Sequence, residues 1–376
     1  MTTPRGDLLI VAQSARMLAQ SACRGGWSPL VVDLFGDTDT RAFARKSALL
    51  DSLTLPAVAT ACKSLAAEPI PLVYGSGLDN HPEWVAALQR DYDLYGNTPE
   101  TLAAIRNPEH FFSRLEALDI PFPETRFSPP CPPGDWLVKS ACGEGGMRVA
   151  FVANFHGDPS GRDYFQRFAP GLSCSLLFVA NGKTMRPTGF NTQLTIPLAN
   201  QPFLFSGAIN DAPLDVSERL AATNIAATLT REFGLVGVNS LDFVAGATGI
   251  LVLEVNPRPS ATAQIHDHRF PNGWLDAHIR ACQGELTETS PMTHEISGFR
   301  IVYAATDTFI DDRMVWPDFC ADLPSPGSKI PAGRPVCTVL ATGPDRDSVL
   351  LALSERVFAI CQRLGLTADA PLFVVH

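Results

Sequence analysis

The sequence predicts a mixed α/β and α+β protein in which a Rossmann-like N-terminal domain precedes a larger region of strands and hairpins. Residues 7–12 and 29–34 are short apolar runs with a helical stretch between them, an order typical of a parallel sheet. Residues 136–152 and 239–262 each contain two strand-like runs around a glycine-containing turn, which indicates hairpins. A closing helix is indicated by apolar residues at helical spacing, namely Val349, Leu353, Val357, Ile360 and Leu364, before Gly365.

The composition is that of an ordinary soluble globular protein. The chain has 376 residues, 45% hydrophobic and 18% charged, which is enough for two or three domains. Its formal net charge of −10 argues against nucleic acid or an anionic membrane as a partner. No apolar run approaches the roughly 20 residues of a membrane helix. Nine cysteines without a CxxC pair, and a start without a secretory signal pattern, favour reduced thiols in the cytoplasm.

The predicted N-terminal domain spans residues 1–97. Ser14 is a candidate N-cap for the first helix, which we expect to end at residues 25–26, and residues 71–75 are predicted to add a later strand. The turn after the first strand lacks GxGxxG, so an NAD-linked oxidoreductase is not supported. Asp33 follows the second strand, where it could bind a ribose hydroxyl or cap the loop.

Two short helices are predicted next, each with proline at its first position. Thr98 precedes Pro99, and Asn107 precedes Pro108, which is the pattern of capped helix starts. The second helix would present one apolar face, formed by Phe111, Phe112, Leu115 and Leu118.

A glycine-rich turn, CGEGG at residues 142–146, joins the predicted strands 136–140 and 147–152. It is not a Walker A loop, because no helix is predicted to follow it. The backbone N–H groups of a glycine-rich turn can nevertheless surround phosphates, and a lysine can add a point charge to them. The candidates for these contacts are Gly143, Gly145, Gly146 and, at the end of the incoming strand, Lys139. The alternative is a purely structural hairpin with a solvated lysine.

The hairpin at 239–262 carries the strongest candidate site. Asp242 lies on its first strand, and Glu254 and Asn256 are two residues apart on its second, so the latter two should point the same way. If the strands pair, Asp242 comes beside them. Two carboxylates and an amide oxygen are ligands that suit Mg²⁺ (or Mn²⁺) held against phosphates. Arg258 would then lie within reach of whatever the metal binds.

The alternative for these acids is an ordinary solvated strand end. It is weakened by the position of Glu254 directly after an apolar run, where an unpartnered charge is costly.

Further along the chain, a capping box predicts a helix, and several strands follow. Asp215 and Glu218 have the capping-box spacing, and Gly234 would end that helix. A later group of polar residues comprises His266, His268 and Arg269. No cysteine or further histidine accompanies them, as a zinc site would require, so we expect them to face the substrate opening or the solvent. The last predicted strands are 297–305, 314–319 and 336–343.

The sequence LEVNPR at residues 253–258, preceded by a strand that bears Asp242, resembles the metal-binding signature of the ATP-grasp superfamily. The resemblance covers residues 98–282 well and the N-terminal domain loosely. It implies a two-lobed ATP-grasp domain, with a small lid lobe at 98–165 and a large metal-bearing lobe at 166–282. Residues 283–376 would form a strand-rich segment, with the closing helix, packed on the large lobe.

The same resemblance assigns two further segments. Gln166, Arg167 and Phe168 would form the hinge that meets the adenine, with Gln166 at the adenine edge. Many members carry a phosphate-binding lysine near the start of the helix that leads into the lid. This sequence has no lysine there, but reads Asn107, Pro108, Glu109 and His110.

The resemblance implies ATP-dependent activation of a carboxylate as an acylphosphate, followed by capture of the acyl group by an amine. Lys139 and Arg258 would stabilise the transferring phosphoryl group, with ATP and Mg²⁺ (or Mn²⁺) as cofactors and small-molecule carboxylate and amine substrates as partners. A homodimer is left open. Within the family, the chain looks closest to ligases that act on amino acids such as glutamate, including the tyramine–glutamate ligases of methanofuran-type cofactor biosynthesis. The alternative is a catalytically inactive ATP-binding sensor, which the missing lysine permits.

Overall fold

The N-terminal domain is a parallel sheet with helices around it, as the sequence predicts. The structure, a computed structural model, describes residues 4–132, 134–155, 157, 160–198, 201–290 and 295–366. The strands lie in the order β3-β2-β1-β4-β5, and every pair in this sheet is parallel. The strands are β1 (Gly6–Val11), β2 (Trp27–Asp33), β3 (Lys46–Leu49), β4 (Pro71–Tyr74) and β5 (Asp93–Leu94). The helices are α1 (Arg16–Arg24), α2 (Thr38–Phe43), α3 (Leu55–Leu65) and α4 (Pro82–Leu88).

One local expectation in this domain was wrong. Helix α1 begins after Ala15, and its N-cap makes no side-chain hydrogen bond, so Ser14 is not the cap. Ser14 lies one residue outside the capping position and instead lines a large cavity. Asp33 caps the loop after β2, since its carboxylate accepts a hydrogen bond from the N–H of Gly36 at 3.0 Å.

Helices α5 (Pro99–Arg106) and α6 (Pro108–Ala117) follow, with their caps as predicted. Thr98 and Asn107 accept hydrogen bonds from the backbone N–H groups of the first turns, at 3.3 and 3.1 Å. The buried face of α6 packs into the core of the large antiparallel sheet; it is formed by Phe111, Phe112 and Leu115.

The small lobe is an antiparallel sheet in the order β6-β9-β7-β8. Its elements are β6 (Thr125–Arg126), β7 (Trp136–Ser140), β8 (Ala150–Phe151), a 3₁₀ turn (Val152–Asn154) and β9 (Asp163–Arg167). The predicted strand 147–152 is thus much shorter than expected. The chain is still turning there, since Gly145, Gly146 and Arg148 all have positive φ. The boundary expected between residues 165 and 166 falls inside β9.

The large lobe is built on long antiparallel strands with two helices. They are β10 (Leu172–Asn181), β11 (Met185–Leu198), β12 (Gln201–Ile209), α7 (Val216–Phe233), β13 (Val236–Gly246), β14 (Gly249–Asn256), a 3₁₀ helix (Ala261–Arg269) and α8 (Trp274–Cys282). Both bonds of the predicted capping box between Asp215 and Glu218 are present, and Gly234 ends α7 in the left-handed conformation.

The C-terminal segment continues the large sheet, whose order is β14-β13-β10-β11-β12-β15-β19-β17. Its elements are β15 (Ile296–Tyr303), β16 (Thr308–Phe309), β17 (Cys320–Ala321), β18 (Lys329–Ile330), β19 (Pro335–Gly343) and α9 (Arg346–Arg363). Helix α9 buries Val349, Leu353, Val357 and Ile360, as its spacing predicts.

The strand predicted at 314–319 is absent. Pro317 cannot donate to a sheet, and the N–H of Cys320 bonds its carbonyl in a turn, so strand pairing begins only at Cys320. In the described part of the chain, no helix combines the length and apolar character that a membrane crossing requires.

Candidate active site

The candidate site is centred on the β13–β14 hairpin. Asp242 pairs directly with Glu254, and Asn256 pairs with Ser240, so the three predicted donors share one face of the sheet. The Asp242 carboxylate accepts hydrogen bonds from the Ser240 hydroxyl at 3.0 Å and from the Asn256 amide at 3.1 Å. All three donors line one cavity of about 530 Å³. The convergence expected from the sequence is therefore present.

Charge in this cavity is unbalanced around the hairpin. Burial and the facing charge of Glu254 raise the pKa of Asp242 to about 7. Lys139, on the neighbouring β7, lines the same cavity and donates to the side-chain oxygen of Gln166 at 2.9 Å. Burial lowers the pKa of Lys139, whereas the charges of Glu254 and Asp242 oppose that shift. The pKa of Asp242 stays raised although the charge of Arg258 lowers it, so the two carboxylates are not fully compensated, which favours an additional cation.

The glycine loop, residues 142–146, closes over this cavity. The carbonyl of Gly145 accepts a hydrogen bond from the N–H of Phe205 at 2.8 Å, which docks the loop on β12. Gly146 has φ of +73°, and a Cβ there would lie 1.9 Å from the carbonyl oxygen of Phe203. Only glycine fits this position, because any side chain would force the loop away from the strand.

The loop also reaches the N-terminal domain through Glu144. Its carboxylate accepts hydrogen bonds from the N–H of Gly77 at 3.0 Å and from the side-chain amide of Asn80 at 2.8 Å. Burial raises the pKa of Glu144, while the positive charge of Arg258 opposes this. No local pattern in the sequence indicates a role for Glu144, because its partners lie more than 60 residues away.

The segment expected to be the hinge lies at the end of β9. Gln166 is buried, and its amide also donates to the hydroxyl of Thr125 at 3.1 Å. Arg167 lines the cavity, and its guanidinium lies over the Trp136 ring and pairs with Glu124, so the side chain already has two partners. Phe168 lines the cavity and stacks on Phe203, with ring centres 5.9 Å apart. Phe168 and Phe203 give this end of the cavity an aromatic wall.

Arg258 lies in the cavity wall, as predicted, but its main partner was not foreseen. Its Nε donates to Asp79 at 3.1 Å, and Arg106 pairs with the same carboxylate oxygen. Asp79 is fully buried. Burial would raise its pKa, but the attraction of the two guanidinium groups lowers it on balance. Asp79 lies in the loop after β4. Loops at the carboxyl ends of parallel strands often bind ligands, so this position could have identified Asp79 as a candidate site residue.

Arg106 is the last residue of α5, directly before the position where the sequence lacks the expected lysine. Burial opposes its charge, whereas Asp79 and Glu254 raise its pKa. The influence of Glu254 shows that the guanidinium is close to the hairpin. A cation is thus present beside the start of α6, although it comes from the preceding helix.

His266 and Arg269 were placed wrongly by the sequence reasoning. His266 is buried and donates to the side-chain oxygen of Asn191 at 2.7 Å, and burial lowers its pKa to about 3. Gly189 makes room for this ring, since a Cβ there would lie 2.3 Å from it. Arg269 donates to the carbonyls of Thr188 and Ser290. These two residues therefore stabilise the fold and face neither the cavity nor the solvent, whereas His268 is exposed.

The residues of the hairpin fit a divalent cation by their chemistry. Asp242 and Glu254 are oxygen ligands, and burial together with their mutual repulsion raises the pKa of Asp242, as expected where a cation normally lies between two carboxylates. In the described residues no three His, Cys, Asp or Glu side chains converge on a metal position, so the third protein donor would be Asn256. A site with two carboxylates and one amide leaves coordination positions for water and phosphate, which is typical of Mg²⁺.

Comparison with known proteins agrees with this geometry. Residues 106–262, which include Lys139, the glycine loop, residues 166–168 and the hairpin, match the sequence model of the ATP-grasp domain. No curated protein matches the chain. Residues 106–262 therefore form an ATP-grasp domain, and the chain has the ATP-grasp fold.

Several solved structures share this fold over nearly the whole chain. Biotin carboxylase from Campylobacter jejuni superposes with a TM-score of 0.72 at 13% identity, covering 93% of this chain and 90% of that chain. N5-carboxyaminoimidazole ribonucleotide synthetase from Thermus thermophilus gives a TM-score of 0.68 at 17% identity, with coverage of 98% and 99%. The biotin carboxylase domain dimer of Hydrogenobacter thermophilus 2-oxoglutarate carboxylase, in complex with MgADP and bicarbonate, gives 0.71 at 11%, with coverage of 94% and 89%.

Proposed function

We propose that this protein is an ADP-forming ligase that joins a carboxylate to an amine through an acylphosphate. The observation that carries the proposal is the convergence of Asp242, Glu254 and Asn256 with Lys139 and Arg258 on one cavity beneath a glycine loop. A site that transfers a phosphoryl group needs positive charge at fixed positions and a cavity that excludes water. The protein contributes little covalent chemistry. No nucleophilic side chain is required, because the substrate carboxylate is the nucleophile.

In the first step, a carboxylate oxygen of the substrate attacks the γ-phosphorus of ATP. The bond between that phosphorus and the bridging oxygen breaks, and ADP leaves with the electron pair. Lys139 and Arg258 would stabilise the negative charge on the transferring group from two sides of the cavity. Mg²⁺ (or Mn²⁺), when held by Asp242, Glu254 and Asn256, would offset the charge of the phosphates.

In the second step, the nitrogen of the neutral amine attacks the acyl carbon, and the proton that this nitrogen loses passes to the departing phosphate. The carbon–oxygen bond to phosphate breaks, and an amide and inorganic phosphate are formed. The glycine loop would exclude water during both steps, since water would hydrolyse the acylphosphate. The contacts of Glu144 with Gly77 and Asn80 support a closed position of this loop.

Binding of the nucleotide would use the aromatic and cationic sides of the cavity. The backbone N–H groups of Gly143, Gly145 and Gly146 would contact phosphates, and the adenine would lie at the hinge, against Phe168 and the end of β9. We assign to Arg106 the positive charge that many family members take from a lysine at the start of α6. This assignment argues against an inactive ATP-binding sensor, because the missing lysine was the reason for that alternative.

The substrates we propose are an amino acid, of which glutamate is the first to test, and a primary amine. A role in cofactor biosynthesis and a cytoplasmic location stay predictions. The homodimer also stays a prediction, and size-exclusion chromatography with light scattering would measure it.

The test uses the full chain with ATP, Mg²⁺ and a panel of amino acids, each with and without a primary amine. ADP release and amide product would be measured together. With the carboxylate alone, exchange of the bridging oxygen of labelled ATP would reveal reversible acylphosphate formation. We expect exchange with the carboxylate and amide product only when the amine is added.

Two variants make the test specific to the site. Glu254→Gln should abolish exchange and product, whereas Glu116→Gln, an exposed acid on α6, should leave both intact. ATP binding without exchange or ADP release in any combination would favour the sensor over the ligase.

A further inference from the structure

One end of the cavity lies far in sequence from every residue of the phosphoryl-transfer site. Three residues line it: Asp37 in the loop after β2, Arg16 at the start of α1, and Asp322 directly after β17. We name these three residues the acidic end. It lies at the carboxyl edge of the parallel sheet, the edge where open α/β sheets bind ligands.

Most polar groups at the acidic end are fully paired. Arg16 donates to Asp322 at 2.9 Å and to Gln264 at 2.7 Å. Asp39 accepts hydrogen bonds from the backbone N–H groups of Asp322 and Leu323, at 2.8 and 3.0 Å. The single guanidinium is thus committed to Asp322, and these contacts fasten the N-terminal domain to the C-terminal strands.

Asp37 is the exception. The residue is only 5% exposed, yet within the described parts of the chain no hydrogen-bond or ion-pair partner reaches its carboxylate. It lines the cavity that a substrate would occupy. Burial, together with the charges of Asp322 and Asp39, raises the pKa of Asp37 to about 8. A buried carboxylate without a partner is costly, and a ligand that supplies positive charge would remove that cost.

The chemistry of the acidic end selects the kind of ligand. A triphosphate would be repelled by these carboxylates, so the nucleotide belongs at the other end, beside Lys139 and the glycine loop. A divalent cation needs several free oxygen ligands, and here the oxygens of Asp322 are already used by Arg16. One free, buried carboxylate suits an ammonium group, which forms a charge-assisted hydrogen bond.

We propose that Asp37 binds the ammonium group of one of the two substrates. Met17 and Phe35 line the same cavity, and Phe35 is 44% exposed, so an apolar carbon skeleton can lie beside the charged group. The inference rests on the proposed function for the identity of the two substrates. The ammonium group belongs either to the amine acceptor or to the α-carbon of the amino acid, and the test separates these sources.

The test compares the full-length wild type with Asp37→Asn, which keeps the shape of the side chain and removes its charge. Phenethylamine serves as the amine and glutamate as the acid, with 2-phenylethanol and glutarate as analogues that lack the ammonium group. Asp51→Asn, at an exposed position of the same domain, is the matched control. KM would be measured for each substrate, and thermal shift would measure binding of each compound without turnover.

We expect Asp37→Asn to raise KM at least tenfold for the substrate whose ammonium group binds here, with the affinity for ATP unchanged. A rise in KM for phenethylamine alone identifies the amine acceptor as the substrate that Asp37 binds. A rise in KM for glutamate alone identifies the amino acid. The corresponding neutral analogue should stabilise neither protein. Unchanged KM for both substrates would overturn the inference while leaving the ligase intact.

If the wild type converts no combination of acid and amine, the proposed function fails, and the binding measurement alone decides the inference. Stabilisation of the wild type by phenethylamine or glutamate, lost in Asp37→Asn and kept in Asp51→Asn, would still support it. Equal stabilisation of the wild type and Asp37→Asn, equal effects of the neutral analogues, or no stabilisation of the wild type by either compound would refute it.

Discussion

The carboxylate of Glu144 accepts a hydrogen bond from the backbone N–H of Gly77 at 3.0 Å, and this bond joins the glycine loop to the N-terminal domain. Asn80 adds a second bond to the same oxygen at 2.8 Å. The loop is therefore held from two sides, by β12 through Gly145 and by the N-terminal domain through Glu144. Opening of the cavity requires the contacts of Glu144 to break.

We predict that Glu144→Ala opens the loop more readily. Hydrogen bonds to a charged group contribute about 1.5–3 kcal/mol, which corresponds to a roughly 10- to 100-fold change in the opening equilibrium. Hydrogen–deuterium exchange of residues 142–147 should accelerate accordingly, and more ATP should be hydrolysed without amide formation. Glu116→Ala, at an exposed position, is the control and should leave the loop's exchange unchanged. Equal exchange in all three proteins would contradict the role of Glu144.

Glu254→Gln should lower turnover by at least ~100-fold, on the scale of losing one electrostatic contact to a transition state. The reason is that Gln keeps the size of the side chain but removes one of the two charges that face each other across the hairpin. The Tm without ligands should change little, because the repulsion between Asp242 and Glu254 is relieved while the attraction of Glu254 for Lys139 and Arg106 is lost. Steady-state kinetics and thermal denaturation would measure the two effects. A folded variant with wild-type turnover would refute the metal assignment.

Lys139→Met should mainly weaken ATP binding, by roughly 10- to 100-fold if the ammonium contributes about 1.5–3 kcal/mol as a charged hydrogen-bond donor. Methionine keeps most of the length and the apolar stem, so packing in β7 should persist. Titration calorimetry with a non-hydrolysable ATP analogue would measure the affinity. Lys183→Met, in the exposed turn between β10 and β11, should bind the analogue like the wild type. Unaltered affinity in Lys139→Met would remove this residue from the nucleotide site.

The parts of the site that the sequence predicted are those determined by short-range pattern. The alternation around Gly246 and Gly249 places Asp242, Glu254 and Asn256 on one face, and that holds in the structure. The parallel N-terminal sheet and the capped helices were predicted for the same reason, because strand length, proline position and caps are local features.

The contacts that the sequence did not predict join residues far apart in the chain. Arg258 and Asp79 are separated by 179 positions, and Arg16 and Asp322 by 306. No spacing rule links such residues, so their ion pairs emerge only once the three-dimensional arrangement is known. His266 was misplaced for a related reason: its partner, Asn191, comes from another strand, and the room for its ring depends on Gly189.

The last prediction concerns acid stability and depends on His278, which is buried in α8 against the strand that carries Asp242. Its Nδ1 accepts a hydrogen bond from the N–H of Val238 at 2.8 Å, and its Nε2 donates to the carbonyl of Tyr95 at 3.0 Å. The bond from Val238 needs the neutral ring, because a protonated Nδ1 cannot accept a hydrogen bond. Burial lowers the pKa of His278 from 6.5 to about 4. Between these two values the unfolded chain binds a proton that the folded chain does not, so the free energy of unfolding must fall as pH decreases.

The contribution of His278 is therefore complete above pH 6.5 and is lost progressively towards pH 4, at up to about 1.4 kcal/mol per pH unit. His278→Gln should flatten the dependence of unfolding free energy on pH in this window, measured by urea denaturation between about pH 5 and pH 7.5. The slope is the informative quantity, because the variant also loses packing and is less stable at every pH. His110→Gln, at an exposed position on α6, should keep the wild-type slope. Parallel curves for His278→Gln and the wild type would show that the ring is not held neutral by the fold.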